Sequence, residues 1–565
     1  MSKSKFDAII IGAGMSGGWV AKELCDAGMQ TLLLERGRNV KHIDDYPTTN
    51  MNPWEFEHRG DMPYEVKKEN PVIARCYAFR EDNAHFFVKD TDHEYVQDKP
   101  FDWIRGYQVG GKSLMWARQT QRWSDYDFEG PARDGFATDW PIRYKDLAPW
   151  YSKVEEFIGI TGNKDGLDTL PDGEFLPAWD LNCVQKHFQE KVAENYEDRH
   201  VIFGRCAHLS EAQDIHRQQG RSTCMKRTEC ERGCPFGGYY SSVSSTIPWA
   251  QKTGNLTLQP DTVVQEIIYD EEQGKATGVK VFDTKTQQVT TYEADVIFVN
   301  AGAINTVSLL LNSKSNRFPN GIGNDSGTLG KYVAFHNYRG HVMGECDDFL
   351  DKESIGRIPT SAYIPRFVNV KAQETDFKRG YAVSFSASRG KGTDTSGLLG
   401  KELSEKLLGE KPHYGKWRVG AGFMGATIPK ETNTVTLDAE KKDQFGMPLI
   451  HINIDYDEND EKMLKHFFTE LTAMFEKAGF KNIKAIDSKQ APGLDIHEMG
   501  GVRMGKDPET SMLNGFHQMH ACNNVYVTDG ACMTSTSTQN PSLTYMAMSA
   551  RAANHAIEQF KKKSV

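Results

Sequence analysis

A glycine pattern near the N-terminus restricts the fold of this chain more than any other feature. An apolar run from Phe6 to Ile11 ends at Gly12, Gly14 and Gly17, and a second apolar run ends at Glu35. This order predicts a strand, a tight turn, a helix and a second strand, in which the glycines allow the turn, backbone approach to a pyrophosphate, and helix packing. The acidic residue that follows can bind a ribose hydroxyl. The unit therefore predicts a Rossmann-like dinucleotide site.

The glycine pattern alone does not distinguish NAD from FAD, but the number of its copies helps to do so. No second copy of the glycine pattern follows an apolar strand. The nearest imitation, residues 321–327, is preceded by Arg317, Phe318 and Pro319, and we interpret it as a loop. A flavoprotein of this length that uses NAD(P)H usually needs a second nucleotide site. We therefore expect one tightly held FAD that an organic substrate reduces and an acceptor other than NAD reoxidises.

Length and composition set the broad class. With 565 residues, of which 38% are hydrophobic, the chain is long enough to build two cores. The net charge of -10 argues against a nucleic-acid partner. No run approaches about 20 apolar residues, so we expect no membrane-spanning helix. Only residues 1–5 precede the first strand, which leaves no room for a signal peptide, and the default expectation is a cytoplasmic protein.

The C-terminal seventh of the chain carries residues suited to alcohol oxidation. His497 can remove a hydroxyl proton, and the amide of Asn540 can orient the same alcohol. Pro541 is expected at the first position of a helix, with Asn540 as its N-cap. The N-terminus of that helix would face the negative charge that develops on a reduced flavin ring.

A third segment, residues 255–313, is predicted to return to the nucleotide-binding core. Its strands meet a further strand, Val296 to Asn300, which ends at Ala301 and Gly302 before a helix. This small-residue turn would contact FAD from a second side. The stretches between the segments assigned to the nucleotide-binding core are longer and rich in aromatic residues, and we assign them to a substrate domain.

Three blocks together resemble the glucose-methanol-choline (GMC) oxidoreductase family over nearly the whole chain. They are GAGMSG with Glu35, the segment from Arg105 to Phe128, which resembles the family's second flavin block and is called the flavin block below, and the C-terminal pair, in which Asn540 lies eleven residues after Asp529. The resemblance implies an α/β fold in which a Rossmann-like FAD-binding domain is interleaved with an α+β substrate domain on an antiparallel sheet, similar to p-hydroxybenzoate hydroxylase. The expected FAD-binding domain comprises residues 1–41, 96–129, 241–329 and 491–565. The expected substrate domain and insertions comprise residues 42–95, 130–240 and 330–490, with a cysteine-rich segment at 222–240.

The resemblance also assigns roles to individual residues. It implies His497 as the catalytic base and Asn540 as its partner. Members with a covalent flavin carry histidine at the position of Met115, so the resemblance implies non-covalent FAD here. The implied cofactor-binding residues are Gly12, Gly14, Gly17, Glu35, Arg36, Gly110, Gly111, Ser113, Met115, Val264, Ala301, Gly302, Asp529, Gly530, Asn540 and Pro541.

Three of the ten cysteines lie in one short segment, namely Cys224, Cys230 and Cys234. Their spacing differs from the paired CxxC that is typical of structural zinc. Three thiolates at close loop spacing are suited to an iron-sulfur centre. Bacterial GMC sugar dehydrogenases that resemble this segment hold a [3Fe-4S] cluster there, which relays electrons from FAD towards a cytochrome. Reduced cysteines packed beside the flavin domain, or a disulfide or zinc site, are the alternative interpretations.

The branch that the flavin block resembles, pyranose oxidases and sugar dehydrogenases, implies the activity. We expect oxidation of a secondary hydroxyl of a glucose-like sugar or glycoside, for example at C3, with electrons passed to a non-NAD acceptor. A sugar oxidase that releases H2O2, a gluconate or sugar-acid dehydrogenase, and a flavin-containing subunit without turnover are the alternatives. Trp103, Trp116 and Trp123 either stack on the sugar or belong to the core. Related dehydrogenases imply a small partner subunit, a cytochrome or quinone acceptor, and a route to the periplasm through an exported partner.

Overall fold

The structure is a computed structural model that describes residues 5–353, 359–391, 397–409 and 414–564. Its strands, numbered in chain order, are β1 (Lys5–Ile11), β2 (Thr31–Leu34), β3 (Val96–Gln97), β4 (Ile160–Thr161), β5 (Phe175–Leu176), β6 (Ile202–Phe203), β7 (Leu256–Gln259), β8 (Thr262–Asp270), β9 (Lys275–Asp283), β10 (Val289–Val299), β11 (His336–Asn337), β12 (Gly340–Cys346), β13 (Ala362–Ile364), β14 (Tyr381–Lys391), β15 (Tyr414–Ala426), β16 (Thr434–Lys442), β17 (Pro448–Asn453), β18 (Lys481–Asp487) and β19 (Val525–Val527).

The helices are interspersed with these strands along the chain. They are α1 (Met15–Asp26), α2 (Tyr64–Glu69), α3 (Asp125–Phe128), α4 (Gly130–Asp134), α5 (Tyr144–Ile158), α6 (Cys183–Asn195), α7 (Asp214–Gln218), α8 (Thr246–Lys252), α9 (Ala303–Asn312), α10 (Gly400–Gly409), α11 (Glu458–Lys477) and α12 (Ser542–Ser564). No helix in the described ranges is both long enough and apolar enough to cross a bilayer.

The first sheet carries the predicted nucleotide-binding turn. Its strand order is β7-β2-β1-β10-β9-β8, and β19 also pairs with β10. Strand β1 runs parallel to β2 and β10, so the carboxyl ends of these strands meet at one edge. Sheets of this kind bind their ligands at that edge. All strands of this sheet come from residues 5–34, 256–299 and 525–527.

The second sheet is antiparallel. Its order is β18-β12-β15-β14-β13-β6, with β11 paired to β15. Helix α11 covers one face with an apolar stripe that includes Met463, Phe467 and Leu471, which are all buried. In a smaller sheet, β3 lies beside β17, which is antiparallel to β16. A Rossmann-like sheet beside an antiparallel sheet is the predicted fold class.

Candidate active site

One large cavity of about 950 Å³ runs from the glycine turn after β1 to the second sheet. It is lined by most of the predicted cofactor residues and by both members of the predicted catalytic pair. Gly17 and Gly110 do not line it. The predicted residues on its wall are Gly12, Gly14, Glu35, Arg36, Gly111, Ser113, Met115, Val264, Ala301, Gly302, His497, Asp529, Gly530, Asn540 and Pro541.

Each of the three glycines of the N-terminal pattern has a different role in the turn. Gly12 adopts a φ of +102°, and a Cβ there would lie 2.3 Å from the carbonyl oxygen of Asn300. A Cβ on Gly17 would lie 1.8 Å from the carbonyl oxygen of Gly12, so only glycine lets α1 pack this closely. A Cβ on Gly14 would meet no atom within 4 Å. Gly14 therefore leaves open space in front of the N-terminus of α1, where a pyrophosphate is favoured.

Glu35 lies directly after β2 and is tied to the same turn. Its carboxylate accepts hydrogen bonds from the backbone N-H groups of Ala13 and Gly37, each at 3.0 Å. Burial raises the pKa of Glu35 above its usual value, in opposition to these two bonds. A carboxylate has further lone pairs, so the side chain can still accept a ribose hydroxyl from the cavity.

The flavin block packs directly on the glycine turn. The backbone N-H of Gly110 donates to the carbonyl of Ala13 at 3.0 Å, and a Cβ on Gly111 would lie 3.3 Å from the Cα of Gly14. Ser113 donates to the carbonyl of Gly110 and accepts from the backbone N-H of Ser242. These bonds use the Ser113 hydroxyl to hold the loop, while Met115 faces the cavity.

Asp529 fixes the turn after β10. Its carboxylate accepts from the backbone N-H of Gly302 at 2.8 Å and from the Thr306 hydroxyl at 2.6 Å. It also accepts from the backbone N-H of Ala531 at 2.9 Å, at the start of the short 3-10 helix Gly530–Cys532. The aspartate therefore joins two walls of the cavity.

Several buried polar atoms on the cavity wall have no hydrogen-bond partner among the described residues. They include the hydroxyl of Tyr545 and one carboxylate oxygen each of Asp495 and Glu498. Buried polar groups in proteins are nearly always hydrogen-bonded, so these atoms indicate a polar ligand. Together with the glycine turn and Glu35, they fit FAD, which has a pyrophosphate, a ribose and a polar ring edge.

His497 and Asn540 meet on the wall of the same cavity. The Nδ2 atom of Asn540 lies 3.2 Å from Nε2 of His497. The residue before the histidine, Ile496, has a φ of +65°, a left-handed conformation that is rare for a β-branched side chain. Such strained conformations cluster at functional sites, where the surrounding structure holds them in place.

The surroundings of His497 keep it neutral. Its pKa lies well below 6.5 because of burial, with further contributions from His336 and Lys112. The Lys112 ammonium lies 2.8 Å from the carboxylate of Glu498. A neutral imidazole at ordinary pH is the form that can accept a proton from an alcohol. The arrangement is therefore suited to removing a hydroxyl proton.

The sequence interpretation missed two residues that contact this pair. His336 Nδ1 lies 2.9 Å from His497 Nδ1, and Asp495 accepts the backbone N-H of His336 at 2.9 Å. Burial raises the pKa of Asp495 to about 7. Asp495 could have been found as an acidic residue two positions before His497, whereas His336 is 161 residues away and has no local signal.

The helix after Asn540 starts one residue later than predicted. Helix α12 begins at Ser542, so Pro541 is its N-cap rather than its first residue, and Asn540 is not the cap. The carbonyl of Pro541 accepts the backbone N-H of Tyr545 at 3.0 Å, which is the first bond of the helix. The amide of Asn540 is directed to His497 instead. The helix N-terminus still lines the cavity.

The three tryptophans divide between the two expected roles. Trp103 and Trp116 line the cavity, although Trp103 is buried. Trp123 does not line it and packs in the core against Phe128 and Trp140. The Nε1 atom of Trp116 donates to the carbonyl of Tyr240 at 3.0 Å. Stacking on a substrate is therefore open to Trp103 and Trp116 only.

The clustered cysteines are neighbours in space. Cys230 and Cys234 both raise the pKa of Cys224, whose value of about 11 is due first to burial. No disulfide joins any of the ten cysteines, all of which lie in the described ranges, so the disulfide alternative is wrong. Among the described residues, the group that has the spacing of a single metal site is His336, Asp495 and His497, and it includes none of these cysteines.

Comparisons with known proteins agree with this geometry. Models of the GMC oxidoreductase family match residues 6–337 and 429–549. The chain is 27% identical to 2-methyl-1,2-propanediol dehydrogenase of Mycolicibacterium austroafricanum, covering 99% of this chain and 96% of the relative. It is 25% identical to the fructose dehydrogenase large subunit of Gluconobacter japonicus, covering 98% of each. Formate oxidase of Aspergillus oryzae shares the fold, with a TM-score of 0.62, 14% identity and full coverage of both chains. The chain therefore belongs to the GMC oxidoreductase family and is an FAD-dependent oxidoreductase.

Proposed function

We propose that this enzyme oxidises a secondary hydroxyl of a glucose-like sugar or glycoside, for example at C3, to a ketone. The observation that carries the proposal is the pair formed by Nε2 of His497 and Nδ2 of Asn540, 3.2 Å apart on the wall of the cavity. Electrons leave to an acceptor other than NAD, since the sequence has one nucleotide fingerprint.

His497 and Asn540 have different roles towards the substrate hydroxyl. Bound FAD supplies the acceptor for the hydride that leaves the carbinol carbon. His497 takes the hydroxyl proton at Nε2, and Asn540 donates to the same oxygen through Nδ2. The N-terminus of α12 lines the same cavity, where its dipole favours negative charge. The product oxygen becomes a carbonyl when proton and hydride have both left.

The wall near the second sheet favours a substrate with many hydroxyls. Ser384, Ser386 and Ser388 alternate along β14, so they share one face of the strand, and all three line the cavity. Arg118 is 5% exposed and also lines it. Its Nε and Nη1 atoms have no hydrogen-bond partner among the described residues. Sugar hydroxyls are suitable acceptors for these N-H groups, and the fructose dehydrogenase relative carries a sugar in its name.

The test is anaerobic reduction of the bound flavin by a panel of compounds. Glucose, a methyl glucoside, gluconate and a small 1,2-diol should be compared, and the keto product located by NMR. We expect the glucose-like compounds to bleach the flavin fastest. The peroxide yield in air separates a dehydrogenase from the oxidase alternative, and a preference for gluconate would favour a sugar-acid dehydrogenase. A flavin that no sugar bleaches would contradict the proposal.

Arg118→Met is expected to weaken sugar binding. A hydrogen bond to a charged group contributes roughly 1.5–3 kcal/mol, so KM for the sugar should rise about 10- to 100-fold while the rate at saturation changes little. Arg317→Met is the matched control, because Arg317 is exposed and pairs with Asp325 away from the cavity. An equal rise of KM for a small diol would show that Arg118 does not recognise the additional sugar hydroxyls.

We further propose that Cys224, Cys230 and Cys234 hold an iron-sulfur cluster that carries electrons onward to a cytochrome or quinone, with a small partner subunit. Two contacts support a cluster at this segment, because they show that the segment packs on the flavin block. The Tyr239 hydroxyl donates to the carbonyl of Leu114 at 3.1 Å, and Trp116 donates to the carbonyl of Tyr240. A cluster of several irons is wider than a single ion, so its ligands lie further apart. Reduced cysteines without a cluster are the alternative.

Cys230→Ser is expected to lower the iron content of the purified protein while the flavin remains bound. Cys183→Ser is the control, since Cys183 is partly exposed and lies outside the segment. Iron analysis and electron paramagnetic resonance spectra of protein purified without oxygen provide the measurement. Active parent protein that holds FAD and no iron would exclude the cluster.

A further inference from the structure

His336 is completely buried beside the predicted base and carries an unambiguous pattern of hydrogen bonds. Its Nε2 atom lies 2.7 Å from the carbonyl oxygen of Ser537, and its Nδ1 atom lies 2.9 Å from Nδ1 of His497. A carbonyl oxygen only accepts, so Nε2 of His336 must carry the hydrogen. Burial lowers the pKa of His336 to about 4, so its ring is neutral and Nδ1 has a lone pair.

This pattern decides the protonation of the neighbouring ring. A hydrogen bond between the two Nδ1 atoms needs one hydrogen, and His336 does not supply it. The hydrogen must therefore lie on Nδ1 of His497, which leaves Nε2 of the neutral ring unprotonated. That nitrogen faces the amide donor of Asn540 at 3.2 Å. A proton acceptor is thus available on the side of His497 where the alcohol would bind.

We propose that His336 is a positioning residue that holds His497 in the Nδ1-H tautomer and thereby keeps Nε2 free as the base. The inference rests on the proposed function for its kinetic consequence, although the tautomer itself can be observed without any substrate. His336 acts through His497 and needs no contact with the substrate for this role.

Strand register explains why the two rings meet. Ala334 and Met499 form an antiparallel bridge, with backbone bonds of 2.7 and 2.8 Å in the two directions. Two residues further along, the same register places His336 opposite His497 on the same face. The backbone N-H of His336 is held by Asp495, and the two rings are perpendicular with centroids 5.0 Å apart. The orientation of the base is therefore set from the second sheet through β11.

His336, Asp495 and His497 also have the spacing of a metal site, but hydrogen bonds between these residues account better for their close approach. Ligand atoms of His336, Asp495 and His497 lie within 4.8 Å of one another. A metal bound to both Nδ1 atoms would need them both deprotonated, which would break the 2.9 Å bond between the rings. Asp495 lies 4.0 Å from Nδ1 of His497, beyond hydrogen-bond distance, so it does not replace His336 as the acceptor.

The first test observes the tautomer directly. The holoenzyme is labelled with 15N-histidine, and the His497 signals are assigned by difference from His497→Ala. We expect a protonated Nδ1 and an unprotonated Nε2 in the resting parent protein. Because no substrate is present, this result stands or falls independently of the proposed sugar oxidation. A protonated Nε2 in the parent would overturn the inference.

The second test is a pair of variants that differ in one acceptor. Both His336→Leu and His336→Asn lose the bond to Ser537, but Asn can still accept from Nδ1-H of His497. A wrong tautomer lowers turnover by up to about 10⁴-fold in a hydrolase triad, so we expect at least a 10-fold slower flavin reduction at saturating substrate for Leu. His336→Asn should stay within about threefold of the parent by the same reasoning, and KM should change little.

The two variants distinguish a role of His336 in positioning His497 from a role in packing alone. The Leu variant should show a mixture of His497 tautomers in the 15N spectrum, whereas the Asn variant should keep the parent pattern. Equal losses in both variants, or parent-like rates in both, would contradict the role of His336 as an acceptor. If His336→Leu does not fold, the parent spectrum and the Asn variant still decide the question.

Discussion

Replacing His497 with alanine is expected to slow flavin reduction by the substrate about 10²- to 10⁴-fold, the usual contribution of a general base. The parent rate should be independent of pH from about 6.5 upwards, because the pKa of His497 is held well below its ordinary value near 6.5. The rate should fall only as acid protonates Nε2. Stopped-flow reduction without oxygen at several pH values measures both effects.

The control is His58→Ala, because His58 is exposed and does not line the cavity. Flavin content should remain unchanged in both variants, since the predicted contacts to the pyrophosphate and the ribose come from the glycine turn and Glu35 and not from His497. An unchanged reduction rate in His497→Ala would refute its assignment as the base. A loss of bound flavin would instead indicate a structural role.

The second large effect is expected in the glycine turn, where one alanine substitution should lower the stability of the fold and another should lower the affinity for FAD. Gly17→Ala places a Cβ 1.8 Å from a backbone oxygen that cannot move away, so it should destabilise the fold by roughly 3 kcal/mol or more. Gly14→Ala meets no protein atom within 4 Å and should leave the stability of the apoprotein unchanged. Its methyl group would occupy the space in front of α1, so FAD affinity should fall about tenfold or more, equivalent to about 1.4 kcal/mol.

Denaturant unfolding of the apoprotein and flavin titration distinguish the two outcomes. Gly14→Ala serves as the matched control for Gly17→Ala, because both add one methyl group to the same turn. A stable Gly17→Ala protein would contradict the close packing of α1 on the turn. An unchanged FAD affinity in Gly14→Ala would show that the pyrophosphate lies elsewhere.

Much of the cofactor site was predictable because its determinants are local. Gly12, Gly14 and Gly17 lie within six residues, and Glu35 directly follows the next strand, so backbone conformation and side-chain size act over short distances. The glycine pattern therefore predicts the strand, turn and helix that the structure contains. The family resemblance was also confirmed, since family models match most of the chain.

Other features were decided by packing between distant segments. Gly17 and Gly110 were predicted as cofactor residues, and in this structure they pack the protein without lining the cavity. The carbonyl of Pro541 accepts the first hydrogen bond of α12, while the amide of Asn540 is directed to His497. The Nε and Nη1 groups of Arg118 are unpaired because the described residues around them offer no acceptor. Apart from the packing role of Gly17, which the glycine pattern predicts, these properties have no signal in the adjacent sequence.

The sequence by itself determined the family, the Rossmann-like turn, the FAD cofactor and the candidate pair of His497 and Asn540. Short-range sterics and a pattern of a few residues are enough for these. Only the tertiary structure could indicate which nitrogen of His497 is available to accept a proton, because that depends on His336, 161 residues away, and on the carbonyl of Ser537. A ring nitrogen takes its protonation from its hydrogen-bond partner, and strand pairing chooses that partner.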